Sequence, residues 1–430
     1  MPSGLVITNV CLTDGISPPR PADVLIEDGR FAAFVQPGAN LPRDAADTET
    51  IPGEGRYLVP GLWESHTHMM MDIDPHGSSS TADKTAAVKR GLQSYLARGV
   101  TSVVDLGCPE DLMNEVRSDI QGKQGGVFPS FYFAGPVLTG VNGWPLCMTC
   151  DHTSSWEITR DTLLEELVAG LAPKVDFIKI IYDGLPGGTD KFPHEALARG
   201  ISAAHDSGRK AIVHVRSKSD LVEAVEAGAD GIEHMFQPDH PDTTKEAEEA
   251  AEVMAKNGTF WCPTLATYEQ IGHAGSRAYL ERLCADGIIT TDAEVEATSR
   301  NPFFQRDKFP RVSAEEALAR LEYGLRTLRV FADKGVRIVA GSDVAIAMSR
   351  PGALLRELQL FARAGLGAAE IIRTATVNAA DRLGVGAGGS VFRVGGVADV
   401  ILLRKDPLGG IDALVLAEHV EMVLKAGVRV

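Results

Sequence analysis

Both ends of the chain show the short alternation of apolar and polar residues that is typical of β-strands. Near the start it occurs in LVITNVCLTDG, ADVLIEDGRFAAFV and ETIPGEGRYLVPG, and each piece ends at or near Gly, Pro or Asp. It returns near the end in VADVILLRKDPL and HVEMVLKAGVRV. Neither end has enough strands for a core of its own. We therefore predict that residues 1–59 and 386–430 combine in one small β-domain, a β-sandwich.

Between these ends, short apolar stretches alternate with amphipathic stretches of helical period. Eight apolar stretches have the length of strands: LVPGLWESHTH, TSVVDLG, SFYFAGPVL, VDFIKIIYDG, KAIVHVR, DGIEHM, TFWCPTLAT and RIVAGSDV. Helical stretches such as AAVKRGLQSYLARG separate them and end at Gly. This alternation is typical of an α/β protein and favours a closed parallel (β/α)₈ TIM barrel over residues 60–385. The longest connection, residues 266–312, is either a lid over the substrate or a surface insertion.

The composition changes this picture of the fold little, but it limits the classes of binding partner that we expect. The apolar fraction of 44% and the charged fraction of 23% are those of a globular protein. A formal charge of −16 repels nucleic-acid phosphates and anionic membrane surfaces. The start, MPSGLVITNV, lacks the pattern of a signal peptide, and no run of about 18 apolar residues follows. We therefore expect a small-molecule substrate, no nucleic-acid or membrane partner, and a cytoplasmic location.

The cysteines do not form the dense pattern of a disulfide scaffold. There are six in 430 residues, so we expect most of them to be reduced. Cys147 and Cys150 form a CxxC pair, which is either a metal clip, a redox pair or an ordinary loop pair. Without a second CxxC to complete a zinc site, the ordinary loop pair is the simpler interpretation.

Histidines and one aspartate mark the ends of several predicted barrel strands. His66 and His68 lie two residues apart, so the alternation of side chains turns both toward the same side of the first strand. His214 and His234 end the fifth and sixth strands, and Asp343 ends the eighth. Barrel enzymes place their catalytic groups at these C-terminal strand ends. Taken singly, each histidine also suits an ordinary polar or core position, and Asp343 suits a helix N-cap.

A lysine lies inside the apolar fourth strand, VDFIKIIYDG. Lys179 is costly to bury there as an ammonium unless it is paired or chemically changed. A protonated lysine cannot bind a metal, whereas a lysine carboxylated by carbon dioxide is an anion whose two oxygens suit the bridging of two cations. The alternative is a lysine paired with a nearby carboxylate such as that of Asp343.

The six residues are more informative together than singly. They come from the ends of strands one, four, five, six and eight, which open on the same mouth of a barrel. Two divalent cations about 3.5 to 4 Å apart at such a site hold a bridging hydroxide and polarise a carbonyl oxygen. The sequence therefore predicts a binuclear metal site. We assign no ligand role to the other seven of the eleven histidines.

These motifs resemble the amidohydrolase superfamily, and within it the imidazolonepropionase-like branch that includes Xaa-Pro dipeptidases and related carboxypeptidases. The resemblance covers nearly the whole chain and rests on PGLWESHTH, FIKI, IVHVR, GIEH, GSDV, and TVNAADRLG followed by GGVADVILLRKDPL. It implies that His66, His68 and Asp343 hold one cation, usually zinc, and that carboxylated Lys179 bridges it to a second cation. The second cation is then held by His214 and His234. Asp343 is implied to take the proton of the attacking water and pass it to the departing amine.

The sequence gives less information about the substrate than about the metal site. Dipeptidase relatives often have a tyrosine where this chain has Arg216, whose guanidinium suits either a substrate carboxylate or carbonyl, or a surface ion pair. Relatives often carry a Gly-His pair after the third strand, but here Trp144 stands where that histidine falls, which puts dipeptidase activity in doubt. Trp144 is a candidate for an apolar pocket, and Asn142, Tyr182 and Arg350 are candidates for polar contacts. Ordinary packing explains each of these residues equally well.

Three functions are compatible with these residues. The first is hydrolysis of an amide C–N bond in a small substrate such as an N-acyl amino acid or a dipeptide. The second uses the same site on a carbamate, urea, ester or organophosphate. The third is the role of a non-catalytic structural homologue. A protein with that role would have no reason to retain six polar groups that are costly to bury. We predict amide hydrolysis, and the resemblance also implies assembly into a homo-oligomer.

Overall fold

The residues that the structure describes form three β-sheets, whose strands are connected by helices and loops. The computed structural model describes residues 4–41, 48–70, 80–121, 126–146, 154–159, 163–184, 191–289, 291–300, 312–343, 350–386 and 391–430. The strands are β1 (Gly4–Leu12), β2 (Arg20–Glu27), β3 (Arg30–Val35), β4 (Thr48–Pro52), β5 (Tyr57–Pro60), β6 (Leu62–Thr67), β7 (Val100–Asp105), β8 (Ser130–Phe133), β9 (Val137–Gly140), β10 (Ser155–Ile158), β11 (Ile178–Tyr182), β12 (Ala211–Val215), β13 (Gly231–Glu233), β14 (Phe260–Cys262), β15 (Arg337–Ile338), β16 (Val400–Leu403), β17 (Val420–Lys425) and β18 (Val428–Arg429).

The helices lie mainly between the parallel strands. They are α1 (Thr81–Leu96), α2 (Glu110–Gln121), α3 (Leu164–Leu171), α4 (His194–Asp206), α5 (Lys218–Glu226), α6 (Lys245–Asn257), α7 (Leu265–Gly272), α8 (Arg277–Ala285), α9 (Asp292–Arg300), α10 (Ala314–Asp333), α11 (Arg350–Arg363), α12 (Ala368–Thr374), α13 (Val377–Arg382) and α14 (Asp412–Val415). Among the helices that the structure describes, none combines the length and apolar character needed to cross a lipid bilayer.

The first sheet contains strands from both ends of the chain. Its eight strands run in the order β18-β17-β16-β5-β1-β2-β3, with β4 paired to β1. The two ends meet where β16 pairs antiparallel with β5, with Val400 opposite Pro60. Apolar residues of β1, β2, β16 and β17 share one buried cluster, so neither end buries its apolar face without the other.

The eight strands predicted between these ends are all present, in two parallel sheets. One sheet has the order β10-β9-β11-β12-β13-β14-β15 and the other the order β6-β7-β8. The third predicted stretch, SFYFAGPVL, is divided between β8 and β9. Gly135 lies at this break with a φ of +69°, a left-handed conformation that glycine adopts without strain.

The two parallel sheets meet through individual hydrogen bonds. The Ser65 N–H donates to the Ala340 carbonyl over 3.1 Å, and the Asp343 N–H donates to the His66 carbonyl over 2.7 Å. At the opposite edge of the β6-β7-β8 sheet, the N–H of Asp176, just before β11, donates to the carbonyl of Phe133 in β8 over 3.1 Å. The described strands of this central region therefore form two sheets with touching edges and not one continuous ladder, so the predicted closed barrel is present only as an α/β arrangement of parallel strands.

The segment predicted to be a lid or a surface insertion contains helices α7, α8 and α9, while residues 301–311 lie outside the described residues. Helix α7 belongs to the packed interior, because its residues from Leu265 to Ile271 are all buried. It packs against α10, where a Cβ on Gly324 would come within 2.5 Å of the Leu265 side chain. Glycine at this position allows the close approach of the two helices.

Candidate metal centre

The four predicted histidines and Asp343 lie at or just after the ends of parallel strands, whereas Lys179 is the second of the five residues of β11. His66 is in the last part of β6, His214 in the last part of β12, and His234 directly follows β13. Asp343 follows β15 and is linked by its backbone to His66. Gly341 lets this segment lie so close, because a Cβ at 341 would come within 2.7 Å of the His66 backbone nitrogen. The fold thus brings together side chains that are far apart in sequence.

The carboxylate of Asp343 is the centre of the group. Its Oδ1 lies 3.2 Å from Nε2 of His68 and 3.3 Å from Nε2 of His66. Its Oδ2 lies 3.8 Å from Nδ1 of His234. The His214 ring completes the group, with its centroid 4.4 Å from that of His234. Four predicted histidines and the predicted aspartate therefore share one site.

Two residues of this site have a backbone conformation that is unusual for residues other than glycine. The φ angles are +50° for Asp343 and +73° for His234. Such conformations persist only where the surroundings hold them. The Thr267 hydroxyl donates to the Asp343 carbonyl over 2.9 Å, and the Trp261 indole N–H donates to the His234 carbonyl over 3.0 Å. These contacts fix the direction in which both ligand candidates point.

Lys179 is buried, with 1% of its surface exposed. Its Nζ has no hydrogen-bond partner among the described residues, so the alternative of a direct pair with Asp343 is not seen there. Burial lowers the pKa of Lys179 to about 8, although the charges of Glu233 and Asp343 act in the opposite direction. An unpartnered buried amine is costly and therefore calls for a functional explanation.

The protonation of His66 indicates that a cation fits next to Asp343. Burial lowers the pKa of His66 to about 4, so the ring is neutral. Its Nδ1 contacts the Glu233 carboxylate, which can only accept a hydrogen bond. The hydrogen of the ring therefore lies on Nδ1, and Nε2 carries the lone pair. That lone pair lies 3.3 Å from Oδ1 of Asp343, and the pKa of this carboxyl lies below its usual value although burial acts in the opposite direction. Two facing acceptors with no hydrogen between them are the donor set that a divalent cation binds.

The residues that can hold metal form two overlapping groups among the described residues. The ligand atoms of His66, His68 and Asp343 all lie within 4.8 Å of one another. The same holds for His66, Glu233 and Cys262. His214 and His234 adjoin the first group, and Nε2 of His214 also lies 3.4 Å from Oδ2 of Asp183.

Sequence reasoning missed the buried charged residues beneath the ligands. Glu233 pairs with Arg382, and although burial alone would raise the pKa of this carboxyl, Arg382 and His66 lower it to about 2. Glu64 accepts hydrogen bonds from the backbone N–H groups of His66 and Ser342, and burial raises its pKa to about 8. The available signal was a charged residue inside an apolar motif, as in WESH and GIEH.

Tyr182 does not join the site. Its hydroxyl donates to Glu223 on α5, and Lys191 lies over its ring at 4.4 Å. The reason is the alternation of side chains along β11, which turns Tyr182 away from the face that carries Lys179. Burial and the hydrogen bond to Glu223 raise the pKa of Tyr182 to about 12. Its predicted substrate contact has no support in this placement.

The other predicted substrate contacts are spread over loops and one helix end. Arg216 follows β12 and forms an ion pair with Glu316 on α10, with Nη2 3.1 Å from Oε1. Asn142 is exposed after β9 and its backbone N–H donates to Glu157 over 2.7 Å, while Trp144 is half-buried in the same turn. Arg350 begins α11, but its side chain lies outside the described residues, as do Cys147 and Cys150. The cysteines that are described, Cys11, Cys108, Cys262 and Cys284, are all free thiols.

Comparison with known proteins supports the same fold. The chain is 25% identical to ochratoxinase of Aspergillus niger over 95% of this chain and 83% of that protein. A solved prolidase complexed with N-methylphosphonate-L-proline superposes with a TM-score of 0.77 at 20% identity, covering 99% of each chain. A solved Xaa-Pro dipeptidase with bound methionine gives a TM-score of 0.73 at 20% identity and covers 100% of each chain. Residues 57–430 match the amidohydrolase family, which confirms the resemblance seen in the sequence, and the chain is a member of this family.

Proposed function

We propose that this protein is a metal-dependent hydrolase that cleaves an amide C–N bond in a small substrate. His66, His68 and Asp343 would hold one divalent cation, and His214 and His234 a second. The observation that carries the proposal is the approach of three imidazoles to the two oxygens of Asp343, at 3.2, 3.3 and 3.8 Å. Membership of the amidohydrolase family supports the same reaction class. The donor set of imidazoles and carboxylate suits zinc.

When bound, two such cations would lower the pKa of a water molecule and polarise the substrate carbonyl. The chain itself contributes Asp343 as the proton carrier. Its carboxylate, turned into the site by the left-handed backbone, accepts a proton from the attacking water and passes it to the nitrogen of the departing amine. The water oxygen forms a C–O bond with the carbonyl carbon, the C–N bond breaks as the nitrogen receives the proton, and the products are a carboxylate and an amine.

Lys179 is proposed to be carboxylated. In that step the nitrogen lone pair of the neutral amine forms a C–N bond with carbon dioxide, one C=O π bond opens to give an anionic oxygen, and the nitrogen releases one proton. The buried Nζ without a hydrogen-bond partner supports this role, because an anionic carbamate would supply two oxygens to the cations. A lowered pKa makes the required neutral amine more abundant near neutral pH.

The substrate is proposed to carry an acidic end. Arg216 and Arg320 both donate to Oε1 of Glu316, so two positive charges share one negative charge next to the strand ends. Arg320 is 6% exposed, and its Nε has no hydrogen-bond partner among the described residues. A carboxylate of an N-acyl amino acid or a dipeptide would compensate this excess charge. The prolidase complexed with N-methylphosphonate-L-proline is consistent with an amino-acid substrate class.

Architecture and assembly belong to the same proposal. The fold of the amidohydrolase family is a TIM barrel plus a β-sandwich. We propose that residues 60–385 form the barrel, closed by the hydrogen bonds between the β6 edge and the segment after β15, and that residues 1–59 and 386–430 form the β-sandwich. A homo-oligomer and a cytoplasmic location remain predictions, as do substrate contacts by Asn142, Trp144 and Arg350.

The test is metal stoichiometry by elemental analysis of the purified protein, combined with a hydrolysis screen of N-acyl amino acids, dipeptides, carbamates, ureas, esters and organophosphates. About two metals per chain with amide cleavage is the expected result. Two metals per chain with turnover only of carbamates, ureas, esters or organophosphates would show that the enzyme hydrolyses one of those substrate classes and not an amide. No metal after reconstitution with zinc and bicarbonate, together with no turnover, would favour a structural homologue.

A further inference from the structure

A buried series of hydrogen bonds connects helix α13 to His66. Arg382, at the end of α13, is 1% exposed, and its Nη1 donates to Oε1 of Glu233 over 2.5 Å. The other carboxylate oxygen of Glu233 contacts Nδ1 of His66. Nη2 of Arg382 donates to the carbonyl oxygen of Ser65, the residue directly before His66. One guanidinium therefore holds both the backbone before His66 and the partner of its ring.

The geometry argues against a metal site at Glu233 itself. His66, Glu233 and Cys262 are close enough to hold a cation. However, Oε1 of Glu233 is occupied by a guanidinium, which is always protonated and whose charge repels a cation. Burial also raises the pKa of the Cys262 thiol well above its usual value, so this sulfur is not a thiolate. The three residues do not form a third metal site.

We propose that Glu233 and Arg382 are positioning residues that fix the ring of His66 with its hydrogen on Nδ1 and its Nε2 turned to Asp343. A carboxylate that faces a guanidinium only accepts hydrogen bonds, so Nδ1 of His66 is the donor. Nε2 keeps its lone pair, 3.3 Å from Oδ1 of Asp343. Partners of this kind orient metal-binding histidines and increase their basicity. The inference rests on the proposed function because it takes His66 as a metal ligand.

Arginine is needed here because of its shape. The planar guanidinium reaches two acceptors on different strands, Glu233 on β13 and Ser65 on β6, whereas a lysine ammonium is a single point of charge. Both members of the pair are buried, with 1% and 0% exposure of their side chains. A buried ion pair is often no more stable than an apolar pair of equal volume, so stability alone does not account for it.

The experiment compares Arg382→Lys and Glu233→Gln with a matched control. Arg356→Lys is that control, because Arg356 and Glu269 form a similar bidentate pair between α11 and α7, with distances of 2.8 and 2.7 Å. Zinc affinity of the metal-free proteins is measured by competition with a chromophoric chelator, and their thermal unfolding midpoints are recorded beside it. Arg382→Lys and Glu233→Gln are expected to bind zinc about 10- to 100-fold more weakly. Arg356→Lys is expected to lower the unfolding midpoint and leave zinc affinity unchanged.

Unchanged zinc affinity in both variants, or an equal loss in the control, would overturn the positioning role. A second measurement needs no variant and covers the case in which the variants do not fold. In wild-type protein labelled with ¹⁵N-histidine, long-range ¹H–¹⁵N spectra report which ring nitrogen of His66 carries the hydrogen. Hydrogen on Nδ1 is expected, and hydrogen on Nε2 in the metal-free protein would overturn the proposal. A wild-type protein that binds no zinc would instead contradict the proposed function, while the tautomer of His66 would still test the positioning role.

Discussion

Replacing Lys179 by methionine is expected to have opposite effects on the metal-free and the metal-loaded protein. Methionine has a similar length and no charge, so it fills the space of the buried lysine stem. Without metal, the substitution removes a buried amine that has no hydrogen-bond partner among the described residues. With metal, it removes the carboxylated side chain that is proposed to bridge the cations.

The size of the stabilising effect follows from the pKa of Lys179. A decrease from 10.5 to about 8 corresponds to about 3 kcal/mol against the charged form in the folded chain. Because the folded pKa lies below the unfolded one, the unfolded chain binds more protons between about pH 8 and 10.5, and wild-type stability rises with pH across this range. Lys179→Met should therefore raise the free energy of unfolding by up to about 3 kcal/mol near pH 7. This gain should disappear as the pH approaches 10.5.

The assay is urea unfolding of the chelator-treated protein at several pH values, with zinc content and turnover measured on the reconstituted protein. Lys425→Met is the matched control, because Nζ of Lys425 lies 2.6 Å from Asp399 and 2.8 Å from Ser130. It should lower stability by about 1–3 kcal/mol, since Asp399 loses its partner. The reasoning is refuted if metal-free Lys179→Met is less stable than wild type near pH 7, or if it binds zinc normally.

Three further substitutions test individual roles. Asp343→Asn should reduce kcat by about 10²- to 10⁴-fold with an unchanged circular dichroism spectrum, and wild-type turnover would rule out Asp343 as the proton carrier. Lys179→Ala should lose zinc and recover part of it in the presence of acetate or propionate; full zinc content without added acid would contradict carboxylation. Arg216→Met should lower kcat/KM about 10- to 100-fold for N-acyl amino acids, as expected from the loss of a charge-assisted hydrogen bond of about 1.5–3 kcal/mol. The corresponding N-acyl amino acid amides should be unaffected, and an equal loss on both substrates would exclude recognition of the carboxylate.

Most of the local structure and the candidate ligands follow from patterns in the amino-acid sequence. Strands and helices follow from the period of apolar residues, which is a property of neighbouring positions along the chain. The spacing of His66 and His68 places both side chains on one side of a strand, and Lys179 is conspicuous because it interrupts an apolar strand. A parallel arrangement brings strand ends to one edge, which is why the candidate ligands were predicted as one group.

Partners that are far apart in sequence depend on how separate elements pack. Arg382 and Glu233 are separated by 149 positions and meet only because the fold brings the end of α13 next to β13, so no local pattern indicates their pair. Tyr182 was assigned to the substrate by its position, yet its hydroxyl pairs with Glu223 on the opposite face of β11. Helix α7 is buried within a segment whose length predicted a lid or a surface insertion. Periodicity fixes the direction of a side chain relative to its own element, whereas its partner depends on how separate elements pack.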